Sequence, residues 1–182
     1  MELFDIVDEQ GNPTGQTVER TEAHTLGICH RTAHVWLVNG DRVLLQKRAQ
    51  GKDSFPGCYD TSSAGHIPAG CEPLESALRE LREELGLIAQ PEELSFVGNF
   101  RAKYEKEFYG KPFRDNEVVF VYALQRAVPV SDLHLQREEV EDAAWFDIED
   151  VYCALQPPRD SRFCVPSDGF ALIRDWCRRQ KE

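Results

Sequence analysis

A single domain of mixed α/β layers is predicted by three features: a length suited to one core, apolar strand-like runs on both sides of a periodic helix, and no internal repeat. At 182 residues the chain can bury a core without dividing into two. With 41% hydrophobic and 29% charged residues it has the composition of an ordinary globular protein.

The elements follow in order. Phe4 to Val7 reads as a strand, Asp8 to Pro13 as a turn, and Gly15 to Val18 as a second strand, making a hairpin at the front. Residues 32 to 38 and 42 to 46 flank Asn39-Gly40-Asp41, a step that favours a tight hairpin between two central strands. Gly51 to Gly57 is an expected loop, and Tyr59 to Ser63 a short strand leading to Gly65. Leu74 to Leu85 is the strongest helix. Leu94 to Ala102 and Val118 to Leu124 are expected strands, separated by an exposed excursion over Lys103 to Asp115. Ala143 to Phe146 reads as a last strand and Ile148 to Leu155 as a helical turn or two. Gly169 to Arg179 forms a terminal helix on which Phe170, Ile173, Trp176 and Cys177 recur at helical spacing. The domain is expected over 1–150, with 151–182 a helical extension that either docks on it or makes a homodimer contact.

A net charge of −11 argues against a nucleic-acid polymer or an anionic membrane surface as partner, because phosphate neutralisation needs clustered Lys and Arg. A phosphate-bearing small molecule must then be received locally, through a divalent cation that reverses the field of the carboxylates. The six cysteines form no C-x-x-C pair, and the first residues lack a basic segment followed by an apolar run; a cytoplasmic protein without a membrane span is expected.

On the central helix, Leu74, Leu78, Leu81 and Leu85 fall within roughly 60° of one another and predict a buried stripe. Glu80, Glu83 and Glu84 project together about opposite it, where mutual repulsion is relieved by a hard cation such as Mg2+ or Mn2+. A Glu-rich face by itself is more often a solvated surface. Here the helix is preceded by Gly65-His66 and closed by Gly86-Leu87, with Gly86 suited to a left-handed cap.

Gly65-x5-Cys71-x7-Arg79-Glu80-Leu81-x-Glu83-Glu84-x-Gly86-Leu87 resembles the Nudix box, with eight family positions kept and Cys71 standing where the family usually has its first glutamate. The resemblance implies a single-domain α/β/α sandwich with a mixed sheet and Mg2+-dependent (or Mn2+-dependent) hydrolysis of a diphosphate linkage. It also implies metal ligation by the Gly65 carbonyl, Glu80, Glu83 and Glu84, and a structural Arg79 that ties loop to helix. Cys71 reads as a packed thiol, since no basic partner is apparent.

Beyond the box, Phe4-Asp5-Ile6-Val7-Asp8, His30-x3-His34-Val35-Trp36, Leu44-Leu45-Gln46-Lys47-Arg48 and Phe55-Pro56-Gly57 resemble the Nudix branch related to isopentenyl diphosphate isomerase. His30, His66 and Asp115-x-Glu117 match positions that in the isomerase serve its metal site or proton transfer. The isomerase, however, carries a cysteine immediately before its Gly-His step, where this chain has Ala64, and it lacks the full double-glutamate pattern. Both differences favour hydrolysis. A third alternative is a Nudix module that binds a nucleotide metabolite without cleaving it.

In the hydrolytic reading Glu83, Glu84 or Glu117 takes up the proton of the attacking water, with Glu138, Glu139 and Glu141 behind them. Lys47 and Arg48 follow a strand and are candidates for substrate phosphate, with Arg101, Lys103 and Arg114 around the variable segment. Tyr59, Phe100 and Tyr104 are either stacking partners for a base or core aromatics.

Overall fold

The computed structural model describes residues 2–52 and 54–181; Met1, Asp53 (within the expected loop) and Glu182 lie outside them. β1 (Leu3–Val7) and β2 (Pro13–Glu19) form an antiparallel two-stranded sheet, followed by a short helix α1 (Arg20–Leu26) that the sequence reading did not anticipate. Its start is capped by the Glu19 carboxylate and its end by Gly27 at φ 70°.

The main sheet has seven strands. β3 (His30–Asn39) and β4 (Arg42–Arg48) meet as an antiparallel pair only at Val38↔Val43 and Asn39↔Arg42, then splay apart. Ser62 bridges the gap, accepting the Leu37 amide at 2.8 Å and donating to the Leu44 carbonyl. β5 (Tyr59–Asp60) extends β4, and β6 (Ser63–His66) runs along β3 with His34 opposite Ala64 and Thr32 opposite His66. β8 (Lys111–Gln125) is parallel to β3 and antiparallel to β7 (Leu94–Phe108), while β9 (Val140–Asp147) pairs with β4. The sheet is therefore mixed, as expected.

The segment 103–115 is not an excursion. β7 and β8 continue through it as one hairpin, closed by Tyr109 and Gly110 at φ 51° and 73°, with Phe108 opposite Lys111. Its charges hid the strand signal because one face of the hairpin is in water while Asp115 points inward and is buried.

Helices cover both faces of the sheet. α2 (Pro73–Leu85) buries Ala77, Leu81 and Leu85 against Ala33, Val35, Leu37 and Leu44, with Leu74 and Leu78 at the margin of the same cluster. On the opposite face α3 (Ile148–Ala154) and α4 (Ser167–Arg179) bury Val151, Phe170 and Ile173 against Trp36, Val38, Val43 and Leu45. The alternation along β3, with odd residues from 33 to 37 on one side and 36 and 38 on the other, is the period of a strand buried on both faces. Phe170 is fully buried, so the terminal helix contributes it to this core, with Trp176 partly buried at its margin.

Candidate functional site

Where β3 and β4 part, a cavity of about 670 Å³ opens between α2, β6 and the β7–β8 hairpin. Gly65, Glu80, Glu83 and Glu84 line one side of it, and His24, His66, Asp115 and Glu117 another.

The three helix glutamates are not equivalent. Glu83 is exposed at the mouth, whereas Glu84, on the flank of the leucine stripe rather than opposite it, is buried against the sheet. There its Oε2 accepts the Ala64 amide at 3.0 Å and the Gln46 side-chain amide at 3.1 Å. Burial pushes its carboxyl up to about 8, because removing water penalises the charged form more than the Ser63 hydroxyl and the Ala64 amide favour it. Burial likewise raises the Glu80 carboxyl, against the opposing pull of Arg79.

Gly65 lies in contact with the helix. A Cβ built on it would stand 2.2 Å from Glu80 Cδ, so a larger residue would displace the Glu80 carboxylate from its place against the loop backbone. Arg79 donates to the His66 carbonyl at 3.2 Å and to Glu80 Oε1 at 2.6 Å, which links loop and helix. Cys71 is half-buried at the edge of the α2 core cluster and does not line the cavity.

A second group of donors stands beside the glutamates. One ligand atom each from His24, His30, His66 and Glu117 lie within 4.8 Å of one another. His30 and His66 Nε2 are each 3.5 Å from Glu117 Oε1, and His24 Nε2 is 3.8 Å from Asp115 Oδ1. His24 Nδ1 donates to the Arg20 carbonyl at 2.9 Å and His30 Nδ1 to the Ile28 carbonyl at 2.8 Å. These bonds leave each Nε2 with an inward lone pair, the arrangement of a metal-ligating imidazole. His24 and His66 Nε2 are 3.3 Å apart, and His30 Nε2 and Asp115 Oδ1 are buried with no hydrogen-bond partner. Burial lowers all three imidazoles and raises the carboxyls of Asp115 and Glu117, so the bare cluster tends toward neutrality. Buried lone pairs aimed at one point fit a divalent cation bound by nitrogen and oxygen.

His24 was missed in the sequence because it depends on α1, a seven-residue helix with little apolar periodicity. His30 makes a backbone hydrogen bond through Nδ1 and takes a place in the cluster through Nε2. Of the candidate phosphate contacts, Arg48 lines the cavity and pairs with Asp60 at 3.1 Å, while Lys47 lies outside the lining and pairs with Glu141 at 3.0 Å. Arg101 and Lys103 line the cavity; Arg114 instead donates to the Thr25 carbonyl. Phe100 and Tyr104 also line it, whereas Tyr59 packs on Phe146 and Phe163.

A mixed sheet between helices, with a glycine loop and a glutamate helix at its cleft, is the arrangement of a family of hydrolases that act in general on diphosphate-containing substrates. The chain belongs to the Nudix family: the NUDIX domain model matches residues 29–164. It is 36% identical to Nudix hydrolase 3 of Arabidopsis thaliana over 97% of this chain, which spans 24% of that protein's length. An uncharacterized Nudix hydrolase of Clostridium acetobutylicum is 34% identical, with 96% of this chain and 82% of that protein covered. An isopentenyl-diphosphate Delta-isomerase of Cereibacter sphaeroides is also 34% identical, over 74% of this chain and 72% of that protein. In fold, a solved structure from Deinococcus radiodurans superposes with a TM-score of 0.71 at 17% identity, covering 95% of this chain and 98% of the other. Nudix enzymes in general use divalent metals. Among the described residues no helix is long and apolar enough to cross a membrane.

Proposed function

We propose that this protein hydrolyses a diphosphate linkage in a nucleoside diphosphate derivative or a similar X-linked diphosphate, with Mg2+ or Mn2+ as cofactor, in the reducing cytoplasm that its six free cysteines suit. The observation that carries the choice is Ala64. Its amide holds Glu84, and its methyl group offers no acid or base at the loop position where an isomerase needs one.

The Gly65 carbonyl, Glu80, Glu83 and Glu84 would hold one cation and His24, His30, His66 and Glu117 another; the Gly65–Glu80 contact and the unpaired His30 Nε2 support that fit. A divalent cation supplies charge neutralisation for the diphosphate and makes water more acidic. Arg79 keeps the Gly65-His66 loop against Glu80. Arg48 faces substrate from β4, and Glu83, exposed at the cavity, is the carboxylate free to take up a proton. Glu117, between two imidazoles, serves as a ligand in this reading rather than as the base.

The histidine cluster favours one rival, isomerisation of a prenyl diphosphate, in line with the isomerase relative. The test is a hydrolysis screen over nucleoside di- and triphosphates, dinucleotide polyphosphates, nucleotide sugars and prenyl diphosphates with Mg2+ and Mn2+, read as free phosphate, free diphosphate or phosphate monoesters, since cleaving the diphosphate of a nucleotide sugar yields two monoesters. It is run beside an incubation with isopentenyl diphosphate. A hydrolysis product without an allylic isomer is expected; an allylic isomer, or no hydrolysis product from any compound, overturns the assignment.

A further inference from the structure

The turn that enters α2 is held from outside. Glu72, the residue before the helix, makes no capping hydrogen bond with its side chain, and Cys71 stands where the box usually has a carboxylate. Two residues from other strands fasten the turn instead. Asp5 of β1 accepts the Gly70 amide on Oδ2 at 2.9 Å, and Arg31 of β3 donates through Nη2 to the same oxygen at 2.9 Å and to the Cys71 carbonyl at 3.1 Å. The Arg31 carbonyl also accepts the Ile67 amide at 3.0 Å, and the Leu3 carbonyl the Ala69 amide at 2.8 Å. Ile67, Ala69, Gly70 and Cys71 are thus each tied to β1 or β3.

The Asp5 and Arg31 side chains are 13% and 7% exposed, so both charges are taken out of water for this contact. A buried ion pair is a poor source of stability, because desolvation offsets much of the attraction. What it supplies is geometry, since charges that must meet fix the segments that carry them. Both candidate cation sites draw on the residues just ahead of this turn, Gly65 for the glutamate set and His66 for the histidine set. Phe4, beside Asp5 on β1, stacks on the His66 ring with centroids 4.6 Å apart. Arg79 makes its bonds to the His66 carbonyl and Glu80 through Nη2, which leaves Nη1 for a further carboxylate. Cys71 is near enough for a charge on its sulfur to act on that guanidinium.

We infer that Asp5 and Arg31 are positioning residues that hold the glycine loop against α2 in place of a carboxylate at position 71. The inference rests on the reading that this loop helps to hold a divalent cation, and it moves the work of one box position to β1 and β3. Loss of the pair loosens Gly65 and His66 relative to Glu80 and weakens cation binding. A pair that served stability alone would leave the metal affinity of the folded protein unchanged. A carboxylate at position 71, within reach of Arg79, becomes useful only once the pair is gone.

The experiment is a Mn2+ titration of the full chain followed by electron paramagnetic resonance, with the thermal unfolding midpoint measured on the same samples. Wild type is compared with Asp5→Leu/Arg31→Met, which removes both charges so that neither is left buried alone. A milder variant, Asp5→Ala, lets Arg31 keep the Cys71 carbonyl and carries the test where the double variant does not fold. Each protein is made with and without Cys71→Glu. Removing the pair is expected to weaken Mn2+ binding roughly tenfold. Cys71→Glu is expected to recover most of that loss while changing wild-type affinity by less than about threefold. Unchanged Mn2+ affinity at a lowered midpoint, an equal effect of Cys71→Glu in every background, or no Mn2+ binding by the wild type overturns the inference. Because the readout is metal binding, the expected pattern with no hydrolysis product from any compound would remove the hydrolytic reading and leave the positioning role standing.

Discussion

The Ala64 amide donates to Glu84 Oε2 at 3.0 Å, so the most buried carboxylate of the glutamate helix is tied to the loop residue on which the proposal of hydrolysis rests. Burial raises the affinity of that carboxyl for protons, and a cation bound in the neighbouring cavity would relieve it.

Glu84→Gln keeps an oxygen for the Ala64 amide and removes the charge. Mg2+-dependent phosphate release should fall by roughly a hundredfold or more while the thermal unfolding midpoint is maintained. Turnover at the wild-type rate, measured in the same phosphate assay, contradicts the role given to this helix.

Cys71→Glu restores the residue more common at that position of the box. Cys71 lies outside the cavity lining, and Arg79 is already bonded to Glu80 and the His66 carbonyl. Activity and Mg2+ dependence are therefore expected to stay within about threefold of wild type. A large gain in rate would mean that the cysteine leaves the loop incompletely built.

Burial brings the His34 imidazole down to about 4 from an ordinary 6.5, only partly offset by the nearby Asp60. A group whose folded pKa is depressed in this way, and which is neutral when buried, favours the folded state fully above pH 6.5. That stability is lost as pH falls from 6.5 toward 4, because the unfolded chain takes up the proton first. The amount is about 3 kcal/mol. Urea unfolding of wild type and His34→Phe across pH 4 to 7.5 should show a shallower acid loss in the variant; parallel curves would contradict the burial argument.

Phe170 is fully buried on α4 and meets Trp36 edge-on at 5.7 Å between centroids. Phe170→Ala should cost about 3–5 kcal/mol, read as a lower denaturant midpoint. A change below 1 kcal/mol would mean that α4 is dispensable to the core.

Much of this was legible in the chain itself, because periodicity and punctuation are local properties. Leu74, Leu81 and Leu85 announced α2, Gly86 ended it at φ 70°, and the Asn39-Gly40 step marked the turn between β3 and β4. The spacing from Gly65 to Leu87 carried the family, and Phe170, Ile173 and Cys177 foretold the buried face of α4.

Other features depended on packing between distant segments, which no local pattern reports. Charged residues from Lys103 to Asp115 concealed two long strands, since a hairpin with one wet face tolerates charge wherever cross-strand pairing is maintained. The unequal burial of Glu80, Glu83 and Glu84 was decided by the approach of β6 to one flank of the helix. His24, from an unforeseen helix, joins His30, His66 and Glu117 only because β3 and β8 run side by side and place His30 opposite Glu117. The sequence by itself determined the α/β class and the glutamate helix, through short-range spacing. Only the tertiary structure decided which carboxylate is buried, which histidines converge, and that His34 and Asp60 line the same cavity, because those relations arise where β3 and β4 separate.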